Sequence, residues 1–295
     1  MRKSIVAILF AAAVALCAPM TVQAQGQGQQ NSLSETPEEL YARMSKRAND
    51  GDAAAMVELA MLYDRGMGVK RSTKEAIAWL EKAADKNNPQ AMYFLGTFYE
   101  EGHGTSNDPE EAIEWYKKAA NAGALPAYYR LAAMYMSGVD IDRNPKTGVE
   151  YLRKAAEKDF PPALSDLGVA YIQGEGIAKD EKKGASYIIK AANAGLPDAM
   201  RLAFLVYMNG TGVAKDMVEA LKWSILADMG GVPGMAQASS KVAEGMSQKQ
   251  RDEAVERAQR WAAAASGQTV PAAAAAPRSG SALPGTPKPQ QSKKK

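Results

Sequence analysis

The sequence is poor in the residues on which metal binding and nucleophilic catalysis most often depend. Its 295 residues include one cysteine, Cys17, and one histidine, His103. A lone thiol has no partner for an intrachain disulfide, and His103 has no second histidine or cysteine near it to share a metal ion. We therefore predict no catalytic residue, no metal site and no cofactor in this chain.

A strong excess of charge of one sign is also absent. The formal net charge is only +3, and the positive excess comes from the two ends of the chain, where basic residues occur without acidic ones. The body between them carries more acidic than basic side chains. A mildly acidic body is unfavourable for binding phosphate backbones, so no nucleic-acid partner is expected.

The long apolar run of a membrane span is missing, but residues 1–24 have the pattern of a secretory signal peptide. Arg2 and Lys3 precede a short apolar run at 5–18, and small residues lead to an expected cleavage after Ala24. The run is too short to cross a bilayer comfortably. The sequence therefore predicts a bacterial periplasmic or secreted protein with no membrane span in the mature chain.

Two alternatives for this segment stay open. One is an uncleaved N-terminal anchor. The other is lipid attachment at Cys17, for which the bulky Leu16 directly before it is unfavourable. If cleavage follows Ala24, the mature protein contains no cysteine, even though its compartment would permit disulfides.

The chain contains a repeat of 36 residues, present in five copies without insertion or deletion. Small, aromatic and turn-forming residues each recur at a constant spacing. Alanine recurs at Ala55, Ala91, Ala127, Ala163 and Ala199. Tyrosine recurs at Tyr63, Tyr99, Tyr135, Tyr171 and Tyr207. Glycine recurs at Gly66, Gly102, Gly138, Gly174 and Gly210. Such periodicity indicates a helical repeat architecture.

The first half of each copy has the pattern of an amphipathic helix. In the second copy, Ala91, Leu95 and Tyr99 follow one another at intervals of four residues and share one helical face. Gly102 then ends the helix, since glycine accepts the left-handed backbone of a C-cap. The small alanines should let neighbouring helices approach closely, while the tyrosines fill the space between repeats.

The second half of each copy begins with a helix-start signal. Asp108 is suited to cap free N–H groups, Pro109 suits the first helical position, and Glu111 should complete a capping box. Equivalent starts are expected at Ser72, Asn144, Asp180 and Asp216. Each copy is therefore expected to fold as two helices.

These residues resemble the Sel1-like repeat family, which is related to tetratricopeptide repeats. The first part of the motif reads Ala91-x-x-x-Leu95-Gly96-x-x-Tyr99-x-x-Gly102-x-Gly104. The second part reads Asp108-x-x-Glu111-Ala112-x-x-Trp115-Tyr116-x-Lys118-Ala119-Ala120-x-x-Gly123. The resemblance implies an all-α fold, an α/α right-handed superhelical solenoid of paired antiparallel helices, and a role as adaptor or scaffold. Local irregularity is expected where the motif changes, at Asp140, Gly148, Gly184 and Ala203.

The composition changes at both ends of the repeats. We expect a flexible lead-in at 25–36, a solenoid at 37–265 and a disordered tail rich in Ala, Pro and Lys at 266–295. Within the solenoid the repeats are expected at about 53–88, 89–124, 125–160, 161–196 and 197–232, followed by a C-terminal cap at 233–265. Polar terminal units keep such arrays soluble.

The resemblance places the first helix of each repeat on a concave surface. Residues opposite the packed face of those helices are candidates to bind an unknown protein or extended peptide. The predicted contacts are Tyr93, Phe94, Tyr129, Arg130, Met136, Asp166, Arg201 and Met208. Exposed methionine and aromatic side chains favour adaptable protein contacts. Alternatively, Tyr93 and Tyr129 only pack against the next repeat and the charged residues are solvated.

Three functions compete at this level. The first is an exported scaffold that binds a protein or peptide. The second is an envelope-associated structural or regulatory protein whose basic tail contacts anionic envelope surfaces. The third, less favoured, is a hydrolase of β-lactamase type, since some cysteine-rich relatives have been described as such. Against it, paired cysteines are missing and the only Ser-x-x-Lys sequence, Ser292 to Lys295, is in the tail.

Overall fold

The computed structural model describes residues 35–266. The predicted signal peptide, most of the lead-in and the tail from residue 267 onward lie outside the described residues. The described residues form two compact units: 35–124 together with Ser137–Arg143, and Leu125–Met136 together with 144–266.

The all-α prediction is confirmed, since residues 35–266 form thirteen helices and no strand. The helices are α1 (Pro37–Asn49), α2 (Ala53–Arg65), α3 (Thr73–Asp85), α4 (Pro89–Glu101), α5 (Pro109–Asn121), α6 (Leu125–Ser137), α7 (Pro145–Ala156), α8 (Pro161–Gln173), α9 (Glu181–Asn193), α10 (Pro197–Asn209), α11 (Met217–Met229), α12 (Met235–Glu244) and α13 (Gln248–Ala265). From α2 to α11 they follow as first and second helices of five repeats. Within this part of the chain no helix has the length and apolar character needed to cross a membrane.

The second helix of each repeat starts at the predicted cap, but the predicted capping box at Asp108 is only half formed. The Asp108 carboxylate accepts a bond from Glu111 N at 3.0 Å, as expected. The reverse bond is replaced, because the Asp108 N–H donates to the carbonyl of Tyr99 at 2.9 Å. The same backbone bond joins Ser72, Asn144, Asp180 and Asp216 to Tyr63, Tyr135, Tyr171 and Tyr207, respectively. The side chain three residues after each cap is therefore not needed to satisfy the cap.

The core of the first unit is built from α1 to α5. Helix α1 packs on α2, the pairs α2/α3 and α4/α5 pack within each repeat, and α3 packs on α4. Its largest fully buried side chains are Met44, Leu59, Leu80, Leu95 and Tyr116. Buried alanines alternate with these large residues. The alanines let neighbouring helix backbones approach closely, and the large side chains fill the remaining space.

We expect Ala119→Leu to lower the free energy of unfolding by about 1–3 kcal/mol, because Ala119 on α5 is fully buried and the larger side chain overpacks its neighbours. Chemical unfolding monitored by circular dichroism measures the loss. Asn121→Leu is the control, since Asn121 is an exposed residue at the end of the same helix. An unchanged stability for Ala119→Leu would contradict this packing.

The second unit has one hydrophobic core that runs from Ala132 to Ala258. The backbones of α8 and α9 come close where Gly168 faces Gly184, and a Cβ added to Gly184 would lie 2.6 Å from the Gly168 carbonyl oxygen. Gly184, which stands where the first, second and fifth repeats have alanine, thus permits a closer approach rather than disrupting the helix. At the end of the unit, α13 packs on α11, with the rings of Trp261 and Trp223 edge-to-face at 6.0 Å.

Candidate functional site

The candidate site of the second unit lies where α6 and α8 meet, and it joins two residues that the sequence analysis selected separately. The Tyr129 hydroxyl of α6 donates to the Asp166 carboxylate of α8 over 2.8 Å. The Tyr129 ring also packs edge-to-face against Phe160, with centroids 5.9 Å apart. Adjacent repeats therefore place a carboxylate beside an aromatic pair.

Asp166 is in an environment that disfavours its charge. Burial raises the pKa of Asp166 to about 6, with a further contribution from the negative charge of Asp198, although the Tyr129 bond acts in the opposite direction. Burial also raises the pKa of Tyr129, as do the charge of Asp166 and their shared bond, while Arg130 opposes this increase. Asp166 is consequently a carboxylate that still ionises near neutral pH but is stabilised mainly by one neutral hydroxyl.

Helix α10 adds an ion pair of opposite charges near this site. Arg201 Nε lies 3.9 Å from Asp198 Oδ1, with the two side chains 31% and 51% exposed. At that distance and exposure the pair contributes little to stability, about 0–1 kcal/mol. Both groups are consequently available to exchange their mutual contact for contacts with a partner.

The remaining candidates of the second unit are partly buried. Met136 lies against α7, where a Cβ on Gly148 would be 2.6 Å from the Met136 Cγ. Met208 and Tyr129 pack at the edge of the core. Arg130 is partly buried and close enough to Tyr129 to affect its pKa. The structure thus brings Tyr129, Asp166 and Arg130 together, while the methionines flank the core.

Tyr93 and Phe94 form an aromatic cluster in the first unit. Their ring centroids are 5.9 Å apart, and Tyr93 also lies 5.6 Å from Tyr116 of the same repeat. Tyr116 is fully buried, and its hydroxyl donates to Glu100 over 2.7 Å. Both Tyr93 and Phe94 are half-buried, so each retains some accessible ring surface.

Phe160 and Asp198 were not selected from the sequence. Phe160 caps α8 without a side-chain hydrogen bond, and Asp198 lies in the first turn of α10. One position precedes its helix and the other lies at its second residue, where counting residues around a helical face says little. The spacing of Asp198 and Arg201, three residues apart and opposite in charge, was the available signal.

His103 has a structural environment in the first unit. Its Nε2 atom lies 2.6 Å from Asp64 Oδ1, and its ring is edge-on to Phe98 at 5.1 Å. These contacts tie the turn of the second repeat to the first helix of the first repeat. Across residues 35–266 no group of three histidine, cysteine, aspartate or glutamate side chains could hold a metal ion.

Helix pairs that repeat at a constant spacing in the sequence define an α-helical repeat protein. The model of the Sel1 repeat matches residues 53–88, 89–123, 125–160, 161–196 and 197–227. The chain therefore belongs to the Sel1 repeat family, as the sequence analysis predicted. Solenoids of this family are generally non-enzymatic scaffolds for protein interactions.

Several solved structures are similar to this chain. A Sel1 repeat protein from Oxalobacter formigenes is 28% identical, with a TM-score of 0.64 over 78% of this chain and 94% of that one. A protective antigen of uropathogenic Escherichia coli with an SLR fold is 26% identical, with a TM-score of 0.47 over 77% of this chain and 56% of that one. An immunity protein from Pseudomonas aeruginosa is 23% identical, with a TM-score of 0.47 over 66% of this chain and 74% of that one. A search of curated protein sequences gave no match.

Proposed function

We propose that the protein is an exported, non-catalytic scaffold that holds a protein or peptide against the first helices of its repeats. In the second unit the proposed contacts are Tyr129, Asp166 and Arg201, on α6, α8 and α10. The observation that carries this proposal is the Tyr129–Asp166 hydrogen bond at 2.8 Å, formed by a carboxylate that burial destabilises.

A purely structural role is a poor explanation for Asp166. A carboxylate with a raised pKa is less stable ionised in the folded chain than in water, so it reduces folding stability at neutral pH. Groups that cost stability without improving packing are concentrated at functional sites. Asp166 can accept more hydrogen bonds than the one from Tyr129 supplies.

The chemistry of the site favours a partner segment with a basic side chain. A lysine or arginine beside Asp166 would form a charge-assisted hydrogen bond and compensate for its partly buried charge. Asp198 would add a second negative group, and the Tyr129 and Phe160 rings supply apolar surface beside it. We propose an extended segment, because main-chain groups can then follow the successive first helices.

Export is proposed from the signal-like pattern at 1–24, with Arg2 and Lys3 before the apolar run and Ala24 before the cleavage point. Mass spectrometry of the mature protein from fractionated cells tests it. The expected product starts at Gln25 and is found outside the cytoplasm. An intact Met1 in the cytoplasmic fraction would contradict the proposal.

Photocrosslinking in living cells tests the binding site. A photoreactive amino acid replaces Met208, a partly buried residue of α10, in the otherwise native chain. We expect one dominant adduct, whose protein is then purified and titrated with wild type and Asp166→Asn. Loss of the charged bond should weaken binding about tenfold or more, since such bonds contribute about 1.5–3 kcal/mol.

The matched control places the same crosslinker at Lys190, an exposed position on the second helix α9. Asn at position 166 keeps an oxygen that accepts the Tyr129 bond, so the comparison isolates the charge. An adduct of equal strength from position 190, or equal affinity of the Asp166→Asn variant, would refute this site.

A further inference from the structure

The tyrosine near the end of each first helix faces the start of the second helix, and its charge environment differs between repeats. The relevant second-helix position is the third residue after the cap. It is occupied by Glu75, Glu111, Thr147, Lys183 and Glu219 in repeats one to five. Glutamate is thus replaced by a residue of opposite charge in the fourth repeat alone.

In three repeats the negative charge of a glutamate acts on the tyrosine hydroxyl. Burial raises the pKa of Tyr99, and Glu111 and other acids add to it. Burial likewise raises the pKa of Tyr207, with a contribution from Glu219. In the first repeat the bond with Tyr41 and burial raise the pKa of Tyr63 to about 12, and Glu75 contributes in the same direction.

The fourth repeat inverts this environment. Arg153 Nη2 of α7 donates to the Tyr171 hydroxyl over 3.3 Å, and Lys183 Nζ of α9 lies 4.7 Å from the centre of the Tyr171 ring. Tyr187 stacks on that ring at 5.8 Å. Burial would raise the pKa of Tyr171, but hydrogen bonding from Lys183 and Arg153 outweighs it, and the net pKa is lowered.

The two cations lack the acidic partner that this arrangement would normally have. Of the carboxylates in residues 35–266, none forms an ion pair with Arg153 or Lys183. Lys183 also lies in the first turn of α9, where a positive charge is unfavourable because the helix dipole is positive there. Two unfavourable features, cations without an ion pair and a lysine in the first turn of a helix, thus occur at one place. Such a combination is typical of a binding site rather than of a stabilising contact.

We propose that Arg153, Lys183 and the Tyr171 hydroxyl form a binding site for a carboxylate side chain of an acidic segment in a partner protein. A carboxylate fits because two cations converge on Tyr171, and the position of Lys183 is occupied by a glutamate in the first, second and fifth repeats. The fourth repeat has the tyrosine without the glutamate and supplies two donors instead. The arginine fork and the ammonium group both form strong charge-assisted bonds with carboxylates.

This site is distinct from the Tyr129–Asp166 pair. Tyr171 and Asp166 are five residues apart on α8, which separates their directions by about 140° around the helix axis. The two sites also carry opposite charge and prefer opposite partner groups. Failure of one proposal therefore leaves the other untouched.

Fluorescence anisotropy with a short glutamate-rich peptide, labelled and blocked at both ends, tests the site on the purified mature protein at low ionic strength. Lys183→Glu restores the residue type of the first, second and fifth repeats, so the variant should fold, and its melting temperature should not fall below that of wild type. We expect it to weaken binding about tenfold or more, as expected for loss of a charged hydrogen bond.

The matched control is Lys74→Glu, which makes the same charge change at an exposed residue in the first turn of α3. It should bind the peptide as wild type does. Absence of wild-type binding, equal affinities of Lys183→Glu and wild type, or equal weakening by Lys74→Glu would overturn the proposal. Displacement by free glutamate at the same concentration of glutamate groups would overturn the assignment to a protein segment.

Discussion

Gly212→Ala is expected to lower the free energy of unfolding by about 2–4 kcal/mol, the sum of a strained backbone and a steric clash. Gly212 has a φ of +69°, which side chains rarely adopt, and an added Cβ would lie 2.0 Å from the carbonyl oxygen of Glu181. Glu181 is the first residue of α9, whose position is held by the core, so the loop has little room to relax.

Gly195→Ala separates the two causes of this loss. Gly195 also has a positive φ, +89°, but nothing lies within 4 Å of an added Cβ. Its substitution should therefore cost only the conformational part, about 1–2 kcal/mol. Chemical unfolding of both variants gives the difference, and equal losses would show that the Gly212 turn moves away from α9 without a penalty.

The same contact recurs along the chain. A Cβ on Gly68 would lie 2.0 Å from the Pro37 carbonyl oxygen, and one on Gly176 would lie 2.3 Å from that of Pro145. In each case the turn glycine lies against the start of the helix that precedes its own repeat, α1 for Gly68 and α7 for Gly176. Asp140 replaces this glycine in the third repeat and keeps the left-handed φ, +62°. The turn conformation is thus retained where the residue type changes.

Asp166→Asn is expected to stabilise the protein at neutral pH by about 2–3 kcal/mol and to remove part of its pH dependence. The pKa of Asp166 is about 6 in the folded chain, against an unfolded value near 3.9. The folded state thus binds the proton more tightly. The contribution of Asp166 to wild-type stability should therefore be most favourable below about pH 4. It should become less favourable as the pH rises through about 6.

Unfolding curves of both proteins across this pH range measure the effect. The gain of Asp166→Asn over wild type should be small in acid and largest above the folded pKa. Asp159→Asn is the control, because Asp159 is 69% exposed and pairs with Lys190 at the surface. Parallel curves for wild type and Asp166→Asn would contradict the assigned cause, since ionisation of Asp166 would then make no difference to stability.

This variant also links stability to the proposed binding function. If Asp166 is retained for a basic partner group, removal of its charge should raise stability and weaken binding together. Such opposed effects are the usual consequence of a charged site built into a packed interface. A variant that gained stability and kept full affinity would leave Asp166 without a role in binding.

Much of the fold could be predicted from the sequence because its determinants are local. The spacing of Ala91, Leu95 and Tyr99 defines a helical face within four turns, and Asp108 caps the next helix through its own side chain. The predicted capping box was wrong in one bond, since the Asp108 N–H is taken by the carbonyl of Tyr99. That bond depends on how the turn closes and is not encoded in the Asp108–Glu111 spacing.

The candidate site was predictable in its residues but not in its connections. Tyr129 and Asp166 were selected as members of the same surface, whereas their hydrogen bond spans 37 residues and depends on how α6 and α8 pack. The burial that raises the pKa of Asp166 likewise comes from neighbouring helices. Helical periodicity assigns a side chain to a face, but it carries no measure of desolvation.

The fourth repeat shows which features follow from the sequence and which depend on the tertiary structure. The sequence by itself determined that the chain consists of paired helices in a Sel1-type repeat, and it already shows Lys183 where three of the other repeats have glutamate. Only the tertiary structure decided that Lys183 shares a tyrosine with Arg153, which comes from the preceding repeat. Helix formation and capping depend on residues a few positions apart, whereas the charge around Tyr171 is the sum of groups from three different helices.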